Sequence, residues 1–136
     1  MGKLTRTTLA IEADLLKKFD RWMASRGYTN RSQAVRDLMR TALVEAEWQD
    51  PRAQVVAALT VIYKHAARTL SQELTHLQHE DHHAVMCSQH VHLDHDTCLE
   101  SILLKGTASQ LRRLADAIIA TKGIRAGKLT LMSTRV

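Results

Sequence analysis

The sequence is short of most features that would place it outside the cytosol. No apolar run approaches the ~20 residues that a membrane helix needs. Met1-Gly2-Lys3 passes at once into mixed polar residues, so no secretory leader is expected. Two cysteines are too few for a disulfide scaffold and read as thiols or metal ligands. The cytoplasm is therefore the expected compartment, with no membrane partner. Aromatic residues make up only 4% of the chain, so its core must come mainly from Leu, Ile, Val and Ala. There is a single proline, no low-complexity segment and no clear internal repeat. At 136 residues the length fits one domain or two very small ones.

Charge is the first thing present in an uneven way. Residues 1–44 carry nine Lys and Arg against four Asp and Glu, whereas residues 45–136 carry ten of each. The net charge of +5 thus belongs to the first third, and a basic module beside a neutral one suggests a polyanion partner.

Within that third, Leu4 to Ile11 is rich in Thr and β-branched residues and reads as a strand. Arg6, Thr8 and Ala10 share one face, while Thr7, Leu9 and Ile11 share the other. Leu15, Leu16, Phe19, Trp22 and Met23 recur at helical spacing, which predicts a helix over about 13–26, ended by Gly27. Asn30-Arg31-Ser32-Gln33 offers a cap for a second helix through Ala34, Val35, Leu38, Met39, Ala42 and Leu43, fraying near Asp50-Pro51.

A single strand has two open edges, and pairing with the same strand of a second chain would close one on each. The resulting two-stranded ribbon fits the DNA major groove. Arg6 would read guanine, Thr8 would bond a base edge and Ala10 would offer a methyl contact. Arg31, Ser32 and Arg36 lie near the start of the second helix, whose free N–H groups suit a phosphate. The Thr/Arg strand, the Gly27-Tyr28-Thr29-Asn30-Arg31-Ser32 junction and the Ala34-Val35-Arg36-Asp37-Leu38 run resemble the ribbon-helix-helix family of dimeric DNA-binding proteins.

Glu45 to Arg52 is polar, holds the proline and marks the expected boundary between residues 1–50 and 51–136. Beyond it the pattern predicts a strand over 53–63, a helix over 66–78, strands over 84–93 and 97–105 with Gly106 as breaker, a helix through Leu111 to Ile119, and a last strand over 126–134. The order β-α-β-β-α-β is the ferredoxin-like arrangement, and the whole chain is expected to be α+β.

All eight histidines lie between His65 and His95. His90 and His92 share a strand face by the period of two, and a turn near Asp94-His95-Asp96 would bring His92 opposite Cys98. Two imidazoles and a thiolate suit Ni(II), Cu, Zn or Co, and a four-coordinate site needs one further donor. His79, His82 and His83 precede this strand and are candidates, from the same chain or a neighbour. Glu100 is in phase with Cys98, and Tyr63 and His65 end the first strand of the module; all three are candidates to line the site. Cys87 is out of phase and is expected as a small buried residue on the opposite face.

Together with the N-terminal pattern, His90-Val91-His92-Leu93-Asp94-His95-Asp96-Thr97-Cys98-Leu99-Glu100 resembles the nickel-responsive transcriptional regulators along essentially the whole chain. The resemblance implies an ACT-like C-terminal domain, a homotetramer built as a dimer of dimers, and one Ni(2+) per chain. It implies His90, His92 and Cys98 as ligands, completed by His79 of another subunit. It further implies double-stranded operator DNA as partner and repression of nickel uptake genes by the nickel-loaded form. Three positions depart from the family. Gln33 stands where an acidic residue helps Asp37 hold a potassium ion, Ala67 replaces a basic residue while Arg68 is kept, and Ala10 stands where a hydroxyl can occur.

Other readings carry less. A metal hydrolase needs an open coordination position and a general base, and a filled four-ligand site offers neither. A regulator for Co, Cu or Zn would share the architecture, because affinity order alone does not select the ion. A small-molecule ACT-type regulator fits poorly with so many histidines.

Overall fold

The computed structural model of the chain describes residues 2–64 and 68–136. Its elements follow in the order α1 (Ala13–Ser25), α2 (Arg31–Glu47), β1 (Gln54–Lys64), α3 (Arg68–Glu80), β2 (Val85–His92), β3 (Thr97–Thr107), α4 (Ala108–Ile119) and β4 (Ile124–Met132). The chain divides into two compact units, Met1–Thr41 and Ala42–Val136.

In the first unit α1 ends where Gly27 adopts φ 77°, a conformation open to a residue without Cβ. Tyr28 N–H then reaches the Met23 carbonyl at 3.0 Å and Gly27 N–H the Ala24 carbonyl at 3.2 Å, which satisfies two carbonyls of the last turn. Asn30 Oδ1 accepts from Gln33 N–H at 2.8 Å and so caps α2. Phe19, Trp22 and Tyr28 stack in sequence at 5.6 and 5.8 Å between centroids.

Between residues 2 and 41 only Met23 and Ala34 are buried, while Leu4, Leu9, Ile11, Leu15, Leu38 and Met39 stay exposed. Residues 4–11, expected as a strand, form no regular element in the single chain.

The second unit is a four-stranded antiparallel sheet of order β2-β3-β1-β4. Each β-α-β crossover skips one strand, so β3 lies between β1 and β2, and β1 between β3 and β4. This is the ferredoxin-like topology expected from the element order. β1 alternates strictly, with Val55, Ala57, Leu59, Val61 and Tyr63 buried. Their neighbours on β3 are Cys98, Glu100, Ile102 and Leu104, and α4 closes the core with Leu111, Leu114, Ala115 and Ile118. Thr107 caps α4 by accepting from Gln110 N–H at 3.2 Å.

Two expectations need correction. Gly106 does not break β3, which runs on to Thr107 opposite Gln54. A Cβ there would lie 2.6 Å from Gln110 Oε1, the movable end of a side chain. The division into compact units falls at Thr41, inside α2, so residues 45–52 belong to the second unit. The reason is Trp48, which is fully buried in the core, donates from Nε1 to the Met132 carbonyl at 3.1 Å and lies under the Arg112 guanidinium. Finally, Cys87 pairs with Leu103 on the face opposite His90, as phase requires, but it is exposed, because that sheet face is bare in the single chain.

Candidate metal centre

The centre is built on the β2–β3 hairpin. The ladder sets His90 opposite Glu100 and His92 opposite Cys98, and β1 places Tyr63 beside Cys98. Because Cys98, Glu100 and Tyr63 all occupy the buried face, the period of two turns both imidazoles toward it. β2 is an edge strand exposed from Met86 onward, so the histidines stay open to solvent while the thiol is enclosed.

One donor atom from each of His90, His92 and Cys98 lies within 4.8 Å of the others. His92 Nδ1 is 3.6 Å from Cys98 Sγ, and the two imidazole rings meet edge-on at 4.9 Å. Ligand bonds of about 2.0–2.3 Å hold two donors on one ion at most about 4.4 Å apart. The trio therefore fits a borderline-to-soft ion with shifts of a few tenths of an ångström. It is the one such group of three or more among the described residues.

Tyr63 joins the candidate ligands to a buried charge. Its Oη lies 2.9 Å from His90 Nδ1 and donates to Glu100 Oε2 at 3.0 Å. An ionised carboxylate only accepts, so the phenol proton points to Glu100 and His90 Nδ1 must carry its own proton toward Tyr63. That tautomer leaves the lone pair on Nε2 for a metal. Glu100 also accepts from Gln78 Nε2 at 2.9 Å, which supports a carboxylate only 7% exposed. Burial and the neighbouring Glu100 charge raise the Tyr63 pKa, so the phenol stays protonated. Burial, with the charges of Asp94 and Glu100, also pushes the Cys98 thiol up. A metal must therefore displace the thiol proton when it binds.

Gln78 was not singled out in the sequence, although a signal exists. It follows Leu74 by four residues and so shares the buried face of α3, where a polar side chain needs a partner. His79 sits on the same helix, exposed, and lines a cavity of about 350 Å³ with Thr75, Gln78, His82, Val85, Ser88 and Glu100. It is not part of the trio within this chain. His65 lies outside the described residues, as does the side chain of Arg68, the first residue of α3.

Apart from Arg68 on α3, the expected DNA contacts lie in the first unit. Arg6, Thr8 and Ala10 are exposed in the segment before α1, and Ser32 and Arg36 are exposed on α2. Arg31 is engaged: its Nε and Nη2 donate to both oxygens of Asp20 at 2.8 Å. The pair raises the Arg31 pKa and lowers that of Asp20, each first through this hydrogen bond.

Comparison with known proteins agrees with this chemistry. The family described as NikR C-terminal nickel-binding domain matches residues 56–132, which include the trio, Tyr63, Gln78 and Glu100. The chain belongs to the NikR family. Relatives along its length are provisionally named nickel-responsive regulators. One from Solibacter usitatus is 48% identical over 98% of this chain and 96% of its own length. Others from Nitratidesulfovibrio vulgaris (strain Miyazaki F) and Geobacter metallireducens are 43% and 42% identical over the same shares. The family is one of regulators, not of enzymes. No helix among the described residues is long and apolar enough to cross a membrane.

Proposed function

We propose that this chain is a cytoplasmic, nickel-responsive transcriptional repressor that binds operator DNA and silences nickel uptake genes when Ni(II) is bound. The observation that carries the reading is the convergence of His90, His92 and Cys98 on a hairpin, with Tyr63 holding His90 in a ligating tautomer. Those three residues would hold one Ni(II) per chain. His79 of a neighbouring subunit would complete a square-planar set, a geometry that suits Ni(II). The ion supplies charge and a fixed coordination geometry, not reactivity.

The chain's own residues do the rest. Gln78 ties α3 to Glu100, and Glu100 is tied through Tyr63 to His90. Drawing His79 onto another subunit's hairpin would order α3, the helix that begins with Arg68, and bring that cation to the phosphate backbone. Such a ligand shifts the equilibrium only by its preference for the DNA-competent state. A homotetramer, a dimer of dimers, satisfies both the shared ligand set and the unpaired N-terminal segment. In the ribbon so formed, Arg6, Thr8 and Ala10 face the major groove, and Ser32 and Arg36 stand at the phosphate-facing start of α2. Arg31 would reach phosphate only by leaving Asp20.

An anaerobic Ni(II) titration of metal-free protein, followed by absorbance beside Cys98→Ser, tests this reading. The expected result is one equivalent per chain with a thiolate charge-transfer band and a square-planar spectrum, both lost in the variant. Nickel should then strengthen binding to DNA upstream of nickel uptake genes. A variant that titrates like the parent would remove Cys98 from the site. A tetrahedral spectrum, with DNA binding driven better by Zn(II) or Co(II), would replace nickel as the signal.

A further inference from the structure

The end of the β2–β3 hairpin is organised by one carboxylate. Asp94 Oδ1 accepts the backbone N–H of Asp96 and that of Thr97, both at 2.8 Å. Leu93 N–H closes the same turn on the Thr97 carbonyl at 2.8 Å, and Asp94 N–H approaches that oxygen at 3.5 Å. The turn starts immediately after His92 and ends immediately before Cys98, and His92 with Cys98 is the last pair of the ladder.

The two ligands are held very differently. Cys98 is fully buried in the core. His92 is exposed near the end of an edge strand, where its ring meets that of His90 edge-on. The turn is the covalent link across the 3.6 Å between Cys98 Sγ and His92 Nδ1. A short polar side chain that accepts N–H groups two and three residues ahead is a strong local way to fix a turn. Asp96 lies in the same turn and accepts neither N–H, so the two carboxylates share a location but not a role.

We propose that Asp94 is a positioning residue for the metal centre: by accepting two N–H groups it fixes the hairpin end and keeps His92 within ligating reach of Cys98. It touches no ion itself. It acts by sparing the site the entropy of ordering an exposed ligand each time metal binds. The inference rests on His90, His92 and Cys98 being the ligands, and the Cys98→Ser titration tests that separately.

The experiment compares Ni(II) affinity, by competition with a chelator, and the thiolate charge-transfer band in full-length Asp94→Ala, Asp94→Asn and Asp96→Ala. Groups that orient metal ligands typically cost about 10- to 100-fold in affinity when removed, and Asp94→Ala should fall in that range with a displaced band. Asp94→Asn keeps an oxygen acceptor at the same place and should stay close to the parent, as should Asp96→Ala. Far-UV dichroism and melting of the metal-free proteins separate a loose site from a lost fold. If Asp94→Ala does not fold, Asp94→Glu takes its place: it keeps the charge, displaces the oxygen by one methylene and should lose affinity while Asp94→Asn does not. Parent-like affinity in Asp94→Ala, or in Asp94→Glu where that variant stands in for it, overturns the proposal. So does an equal loss in Asp94→Asn, which would assign the effect to charge.

Discussion

At the scale of single residues, the centre depends on a phenol that contacts both an imidazole and a buried carboxylate. Tyr63→Phe removes that oxygen and nothing else of size. His90 then loses the partner that fixes its tautomer, while Glu100 keeps the hydrogen bond from Gln78. Chelator competition should show Ni(II) affinity falling by about 10- to 100-fold. A buried acceptor stripped of one bond costs about 1–3 kcal/mol, so the metal-free protein should also melt earlier. Unchanged affinity would mean that Tyr63 merely fills space. The convergence of His90, His92 and Cys98 was legible in the sequence, because a period of two and a short turn are local facts. The Tyr63–Glu100 contact was not fully legible. It depends on the register of β1 against β3, two strands separated by more than thirty residues, and spacing alone does not fix that register.

At the scale of elements, the hydrophobic pattern located every helix and sheet strand to within a few residues, since each presents one apolar face to a shared core. It was less informative elsewhere. The segment 4–11 carries a strand pattern but forms no strand among the described residues. Gly106 looked like a terminator, yet β3 runs through it, paired with Val55 on β1. The stretch 45–52 looked like a linker because its one large apolar residue is surrounded by polar ones. Yet Trp48 is the largest fully buried side chain of the chain's described residues and anchors the end of α2 to α4 and β4. Trp48→Ala should therefore destabilise the second unit by about 3–5 kcal/mol, as core aromatic truncations do. Denaturant unfolding of the metal-free protein checks this, and a loss below about 1 kcal/mol would restore the linker reading.

At the scale of the whole molecule, the two units differ in how far they can stand alone. The second has a continuous core over its sheet and α4. The first buries two apolar residues and leaves six large ones in water, in a unit near the size below which domains usually need help to fold. It also carries the chain's excess positive charge, so the part least able to fold alone is the part suited to DNA. In the proposed ribbon the two requirements are coupled, so DNA binding would be conditional on assembly. Leu9, on the face opposite Arg6 and Thr8, is the residue to test. Leu9→Asp should abolish operator binding and lower the particle mass measured by light scattering. It should leave one Ni(II) per chain, because the hairpin ligands and their Tyr63 support lie in the other unit. A variant that still binds operator DNA would show that the N-terminal segment does not pair through that face. A variant that loses nickel as well would show that the metal centre needs the N-terminal pairing to form.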